Sequence, residues 1–208
     1  ERLAGAVPEV TETARYCPDI QTYVHVDDSD IEARVIAVDP SFFQLFPYYG
    51  FLEGTPESLA TKEDVLLSES FARAYHFKVG DVLHTRDWDF MVAGIVEDFH
   101  NKLFPHVDII AHPDSWLNAG AWEAPYDRYG STITFARVVP GTDRAALEAK
   151  AEAVCKESYP NFYGSAFFES LSVERLDEIF FKEYDSNQQA YRHGDVATLR
   201  ILLLVGLL

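Results

Sequence analysis

The sequence is poor in sulfur and in positive charge. Of its 208 residues, only two are cysteines and one is a methionine. Two cysteines cannot by themselves build a disulfide scaffold or a four-ligand zinc site. The 17 lysines and arginines face 34 aspartates and glutamates, so the formal net charge is −17. That charge repels a phosphate backbone and an anionic lipid surface, so we expect no nucleic-acid partner.

The common signatures of catalysis are also missing. The sequence contains no GxxxxGK[ST] phosphate loop, no GxGxxG after a strand, no GxSxG elbow and no HExxH pair. Carboxylates are so numerous that no glycosidase-type pair can be chosen by spacing. We therefore predict no catalytic residues, no cofactor-binding residues and no metal ligands, and a protein that is not an enzyme and needs no cofactor.

Aromatic and aliphatic residues are plentiful. Hydrophobic residues make up 48% of the chain and aromatic residues 14%, including 15 phenylalanines and 11 tyrosines. This composition is typical of a globular protein and excludes disorder. The length fits one domain or two small ones.

The apolar pattern predicts a mixed sequence of strands and short helices. Ser68 is suited to cap a helix that runs to about Tyr75, and Thr142 or Asp143 is suited to cap another that runs to about Tyr159. A helical turn is expected after Pro40, and a loop over about 115–130. We expect strands at 22–26, 31–38, 65–67, 82–86, 90–96, 131–139 and 165–173.

One group of polar residues resembles a metal site. In a strand, His106, Asp108 and His112 would share one face, with His100 just upstream. Imidazole and carboxylate are suitable zinc ligands. Six strand steps, however, separate the two end histidines by roughly 20 Å, which is too far for one ion. We therefore interpret these residues as polar strand residues.

Two further patterns favour ordinary structural roles. The acidic stretch from Asp27 to Glu32 lacks the glycine and the distant glutamate of a calcium loop, and we interpret it as a solvated hairpin turn. Cys17 and Cys155 could pair in an extracytoplasmic protein, although a free buried thiol is the common case for a residue beside an apolar helix face. Sequence alone leaves both possibilities open.

Several short motifs follow one another along nearly the whole chain. The motifs are VPEV at 7–10, VDPSFFQLF at 38–46, FLEG at 51–54, VLLSESFARAY at 65–75, VGD at 79–81, FMVAGIVEDF at 90–99, LDEIF at 176–180 and RHGD at 192–195. Each motif is weak alone, but their order and spacing resemble those of the extracytoplasmic domain of MacB/FtsX-like ABC transporter permeases.

The resemblance implies an α+β fold in which a porter-like α/β layer carries an inserted, β-rich, sabre-like subdomain. Residues 1–38 and 131–182 would form the porter-like part, and residues 39–130 the insert. Residues 183–208 would form a stalk that leads into a membrane helix, whose first turns would be the apolar run ILLLVGLL at 201–208. A short buried helix is the alternative interpretation of that run.

The resemblance also implies a function. Such a domain would lie on the periplasmic side of the inner membrane, in a permease whose helices are moved by a separate ATP-binding subunit. It would couple that movement to substrate export or to mechanical signalling. A second permease copy, an outer periplasmic adaptor and the membrane reached through flanking helices are the implied partners. The alternatives are a ligand-sensing receptor ectodomain and a secreted metal-binding hydrolase.

Overall fold

A computed structural model describes residues 2–86, 88–98, 104, 106–117, 132–158, 160 and 171–179. The fold class is α+β, as predicted. The described strands are β1 (Val10–Val26), β2 (Ser29–Val38), β3 (Phe51–Glu53), β4 (Asp64–Ser68), β5 (Val82–His84), β6 (Asp89–Val96), β7 (Ile109–Ala111) and β8 (Ile133–Val138). The described helices are α1 (Arg2–Ala6), α2 (Phe42–Leu45), α3 (Glu69–Ala74), α4 (Pro113–Leu117), α5 (Arg144–Ser158) and α6 (Leu176–Ile179), with a 3₁₀ turn at Pro56–Ser58.

All eight described strands belong to one mixed sheet. Its order is β3-β6-β4-β7-β2-β1-β8, and β5 pairs with β6. The central strands β4 and β7 are short apolar runs that are buried on both faces, and so is the second half of β2, from Val35 to Val38. Neighbouring residues point to opposite faces of a strand, so Leu66 and Ile110 enter one core while Leu67 and Ile109 enter the other.

The sheet curls until its distant parts meet. Val24 of β1 forms an isolated antiparallel bridge with Thr85, just beyond β5. The Arg86 amide donates to the Tyr23 carbonyl oxygen at 3.1 Å. We call this contact between β1 and the β5–β6 hairpin the seam. The strands β5, β6, β4, β7, β2 and β1 thus enclose an inner core.

Three hydrophobic clusters lie within the described part of the chain. The inner cluster lies inside the curl and is mainly aliphatic, with Phe71 and Ala72 of α3 packed into it. The outer cluster lies on the opposite sheet face under α2 and is rich in aromatic rings. A small third cluster joins α1, the start of β1 and α5 through Val7, Val10 and Leu147.

Most local predictions are confirmed. The Ser68 hydroxyl accepts from the Phe71 amide at 3.3 Å and caps α3. The Asp143 carboxylate accepts from the Ala146 amide at 2.8 Å at the start of α5. Strands occur at all the predicted places from 22–26 to 131–139, and α2 follows Pro40. The predicted loop begins later than expected, because α4 includes residues 115–117.

Three details of the strand predictions were wrong or incomplete. The first strand begins at Val10 rather than at the predicted Thr22. Its first half was not predicted, because that part of the sequence contains threonine, arginine and proline and lacks a clear alternation of apolar residues. The predicted strand through His106 and His112 contains only Ile109–Ala111. Residues 171–173 are described without regular structure, and the rest of the strand predicted at 165–173 lies outside the described residues.

The predicted domain boundaries fall inside continuous structure. β2, from the first predicted segment, pairs in parallel with β7 of the predicted insert. β1 also pairs with β8, from the third segment. The division into a porter-like part and an insert therefore remains a prediction. The predicted stalk and the apolar run at 201–208 lie outside the described residues.

Candidate functional site

The predicted group of histidines does not form one constellation. His106 and His112 lie beyond opposite ends of β7, and each contacts a different carboxylate. His106 Nε2 lies 3.3 Å from Asp108, and His112 Nδ1 lies 3.7 Å from Asp114. His100 lies outside the described residues. Within the described part of the chain, no group of three or more histidine, cysteine, aspartate or glutamate side chains could hold a metal ion.

The acidic stretch after β1 is a hairpin turn, as predicted. Residues 27–28 form the turn between β1 and β2. Asp27 has a φ of 52°, a left-handed conformation that aspartate and asparagine tolerate better than most residues. The remaining acidic residues start β2 and lie on an exposed hairpin.

Cys17 and Cys155 are not joined by a disulfide bond in this structure. Cys17 is buried at the inner cluster, and its Sγ lies 3.4 Å from the Thr132 hydroxyl. Burial raises the pKa of the Cys17 thiol, which makes this group a poor nucleophile. Cys155 is half-buried on α5.

Arg15 of β1 is the centre of a network of charged hydrogen bonds. Its guanidinium donates to Asp39 at 2.7 Å and to Asp114 at 3.0 Å, while its amide donates to the Asp39 carboxylate at 2.7 Å. Burial by itself lowers the pKa of Arg15, but the hydrogen bonds with Asp39 and Asp114 outweigh it and raise the pKa above its usual range. The side chain therefore stays charged.

Arg15 connects three parts of the sheet. Asp39 directly follows β2, and Asp114 lies in α4, which follows β7. This junction was not predicted from the sequence, because Arg15 lies before the first predicted strand. Arg15 and Asp39 are 24 positions apart, and no short sequence pattern indicates that their side chains contact each other.

Two further ion pairs hold the start of β1. The Lys150 ammonium of α5 pairs with Glu9, and Arg137 of β8 lies 2.8 Å from Glu12. The hydrogen bond from Lys150 lowers the pKa of Glu9. Together with the Arg15 junction, these pairs attach successive parts of β1 to α5, β8 and α4.

The outer surface at the seam is exposed and combines polar and apolar groups. The Arg86 guanidinium lies 4.5 Å from the centre of the Tyr23 ring, which is cation–π geometry. Val82 and Met91 are opposite each other on β5 and β6, and both are exposed, as is Trp88 in the turn. Two histidine–aspartate pairs, His25–Asp30 and His84–Asp89, lie on the same hairpins.

A shallow open depression lies beside α3. Glu32, Ser70, Tyr75 and Asp108 contribute to its wall, together with Phe71 and Ala74. The Asp108 carboxylate accepts from the Arg34 amide at 2.9 Å, which assigns it a role in holding β2 beside β7. The geometry provides no nucleophile–base pair in this depression.

Comparison with known proteins identifies the family. The model of the MacB-like periplasmic core domain matches residues 1–154, about three quarters of the chain. The chain belongs to the MacB-like periplasmic core domain family. No curated protein matches the sequence.

Solved structures of this kind have the same fold at low sequence identity. A domain of a protein assigned as a permease from Porphyromonas gingivalis is 18% identical, with a TM-score of 0.62, covering 86% of this chain and 81% of that one. The periplasmic region of MacB from Actinobacillus actinomycetemcomitans is 15% identical, with a TM-score of 0.53, covering 73% and 69%. The extracellular domain of the noncanonic ABC-type transporter YknZ from Gram-positive bacteria is 9% identical, with a TM-score of 0.55, covering 76% and 82%.

These relationships establish the general class of this MacB-like domain. It is the periplasmic or extracellular domain of an ABC transporter permease, and its relatives are transporter domains rather than enzymes. No helix in the described part of the chain is long and apolar enough to cross a membrane.

Proposed function

We propose that this domain couples ATPase-driven movement of membrane helices to work outside the membrane, as export of a substrate or as mechanical signalling. The observation that carries the proposal is the length of β1. Its 17 residues correspond to about 55 Å of extended chain. This one strand contributes to the third cluster near α1 and α5 at its start, and to the seam near its end.

The contacts of β1 are suited to transmitting a displacement. Its first part pairs with β8 from Val10 to Tyr16, and its second part pairs with β2 as far as Val26. Arg15 lies near the point where these two pairings meet and adds charged hydrogen bonds, which are stronger than neutral ones. Each part of β1 is thus held along one edge by a neighbouring strand, so we expect it to move with that neighbour instead of bending alone. A shift at the α1 end would therefore reach the seam.

The partners follow from the same proposal. A separate ATP-binding subunit would act through membrane helices that flank the domain, and a second permease copy would place two such domains side by side. An outer periplasmic adaptor would receive the movement. The location would be the periplasmic side of the inner membrane. In this arrangement the domain performs no catalysis.

The domain division is part of this proposal. Residues 1–38 and 131–182 would form the porter-like part next to the membrane, and residues 39–130 the sabre-like insert. Residues 183–208 would form the stalk and the start of the next membrane helix. The pairing of β1 with β8, which joins residues 10–16 to residues 133–138, supports the first of these groupings.

Distance measurements on the full-length permease with its ATP-binding subunit test the coupling. Cys17→Ala and Cys155→Ala, together with replacement of any cysteine elsewhere in the permease, remove competing thiols, and Asp28→Cys places a spin label on the exposed turn between β1 and β2. In nanodiscs, we expect the distance between the labels of two copies to differ between the nucleotide-free and the ATP-bound, vanadate-trapped states. Double electron–electron resonance measures this distance.

Arg15→Ala supplies the discriminating variant. We expect it to keep ATP hydrolysis while reducing the nucleotide-dependent change in distance, because β1 is released from Asp39 and Asp114. Arg73→Ala is the matched control, since that arginine pairs with Glu69 within the exposed turn of α3. An active transporter whose label distance is the same in both nucleotide states would contradict the proposal.

A further inference from the structure

Two histidines face each other across the seam. The antiparallel bridge between Val24 and Thr85 sets the local register, which puts His25 opposite His84. Val24 and Leu83, the neighbours of these histidines along β1 and β5, are buried in the inner cluster. Because side chains alternate along a strand, both imidazoles lie on the outer face, where their side chains are 60% and 57% exposed.

Each imidazole is held by its own carboxylate. His25 Nδ1 lies 3.2 Å from Asp30 on β2, and His84 Nδ1 lies 2.8 Å from Asp89 on β6. Both pairs are cross-strand partners in their hairpins. The four side chains thus form a row, Asp30–His25–His84–Asp89, across four adjacent strands.

Metal-binding histidines commonly donate their other ring N–H to a carboxylate or carbonyl oxygen. A carboxylate that accepts from the Nδ1 proton selects the tautomer in which Nε2 carries the lone pair. Here two such oriented imidazoles stand opposite each other, and cross-strand partners have Cβ atoms about 5 Å apart. Nitrogen ligands of this type suit zinc, copper and nickel rather than magnesium or calcium.

We propose that His25 and His84 bind one divalent transition-metal ion at the seam through their Nε2 atoms, with Asp30 and Asp89 as positioning residues. In the described residues no third protein ligand lies close enough to complete the group, so water fills the remaining coordination positions. The site is therefore open, and it binds its ion more weakly than a four-ligand structural site.

The ion would join strands that the sheet joins weakly. The contacts across the seam include the single Val24–Thr85 bridge, the Arg86–Tyr23 hydrogen bond and the Arg86–Tyr23 ring contact. An ion coordinated from both β1 and β5 would add a connection between them. Binding would thus stabilise the folded chain in proportion to the ion concentration relative to its dissociation constant.

Titration with Zn²⁺ tests the site, using the 208-residue chain without a polyhistidine tag. We expect isothermal titration calorimetry to detect one ion per chain, and the melting temperature to rise with Zn²⁺. His25→Ala and His84→Ala should each reduce the affinity by at least tenfold and remove the rise in melting temperature. Asp89→Asn should reduce the affinity by about 10–100-fold while both ligands remain. Acidification should weaken binding, because the metal needs neutral imidazole.

His106→Ala is the matched control. His106 also contacts an aspartate, since its Nε2 lies 3.3 Å from Asp108, but no second histidine–aspartate pair faces it among the described residues. This variant should bind Zn²⁺ like the unmodified chain. Circular dichroism shows whether each alanine variant is folded. If one is not, the corresponding glutamine variant, His25→Gln or His84→Gln, is used instead, since glutamine keeps a polar side chain of similar length. Absence of Zn²⁺ binding, or binding that survives replacement of both seam histidines, would overturn the proposal.

Discussion

The two faces of the central strands are both buried, but they are filled by different kinds of side chain. The inner cluster, enclosed by the curl of the sheet, consists mostly of valine, leucine, isoleucine and alanine. The outer cluster contains Tyr16, Phe42, Phe43, Phe46, Tyr49 and Phe104, with Phe51 and Phe135 packed against it.

The difference follows from what covers each face. On the inner side, strands of the same sheet approach from several directions, so small and branched side chains can fill the space. On the outer side, the described cover includes the four-residue helix α2 and the segments next to it. Aromatic side chains each bury a large area, so a few of them allow a short element to close a wide face.

Replacing Phe42 by alanine should have the largest effect. Its ring stacks on Tyr16 at 5.8 Å and lies 4.7 Å from Phe46 and 5.5 Å from Phe104. Loss of this fully buried ring should lower the free energy of unfolding by about 3–5 kcal/mol, as for other buried phenylalanines. Urea denaturation followed by far-UV circular dichroism measures the change. If Phe42→Ala lowered the free energy of unfolding no more than Phe42→Leu does, the contacts between aromatic rings would contribute little to stability.

The pair Leu66→Ala and Leu67→Ala compares the two faces directly. The residues are neighbours in β4, both fully buried, and each should cost about 2–5 kcal/mol. Their spectroscopic effects should differ, because only Leu66 belongs to the aromatic outer cluster. We expect the near-UV circular dichroism of the folded state to change for Leu66→Ala and to stay nearly constant for Leu67→Ala. Equal changes in the near-UV spectra of the two variants would contradict the view that aromatic rings fill mainly the outer cluster.

Gly94→Ala tests how closely the sheet packs at the edge of the outer cluster. A Cβ at this position would lie 2.8 Å from the Glu53 carbonyl oxygen and 2.8 Å from Leu66 Cδ2. Since the carbonyl belongs to the neighbouring strand β3, we expect a loss of about 1–3 kcal/mol from overpacking. Thermal unfolding measures it.

Gly5→Ala is the control for this substitution. Gly5 lies in α1, where an added Cβ would meet nothing within 4 Å. We expect no loss, and a gain of up to about 1 kcal/mol, because alanine favours the helix. Destabilisation by both substitutions to the same extent would argue against close packing at Gly94.

Acidification should destabilise the third cluster before it affects the inner and outer clusters. The pKa of Glu9 is lowered mainly by the hydrogen bond from Lys150, and that of Glu148 mainly by the hydrogen bond from the Val173 amide. A carboxylate whose pKa is lower in the folded state stabilises the fold above its ordinary pKa of 4.5 and loses this effect as the pH falls through the folded value.

Hydrogen exchange measured by mass spectrometry at pH values from neutral to below 4.5 checks this expectation. Amides of α1 and α5 should exchange faster at the acidic end, relative to those of β4 and β7, after correction for the intrinsic rates. The effect should be small, because both carboxylates are partly exposed to solvent. Glu9→Gln should remove part of the pH dependence, and faster relative exchange in β4 than in α5 would contradict the assignment.

Local sequence determined much of the secondary structure. The cap residues Ser68 and Asp143 lie where α3 and α5 begin, because a capping side chain needs only the amides two or three residues away. The turn at 27–28 and the β5–β6 hairpin follow for the same reason. The motif order also predicted the MacB-like family, which the match over residues 1–154 confirms.

Only the tertiary structure decided which strands became neighbours. The three residues of β7 lie between β2 and β4, a position that depends on residues about 40 to 75 places away in sequence. Thr11, Arg15 and Pro18 gave β1 no recognisable alternation, yet pairing with β8 and β2 makes this region one long strand. The Arg15 junction and the facing histidines at the seam arise in the same way. Long-range pairing depends on the whole sheet, whereas helix caps and turns depend on a few adjacent residues, and only the latter can be read directly from sequence.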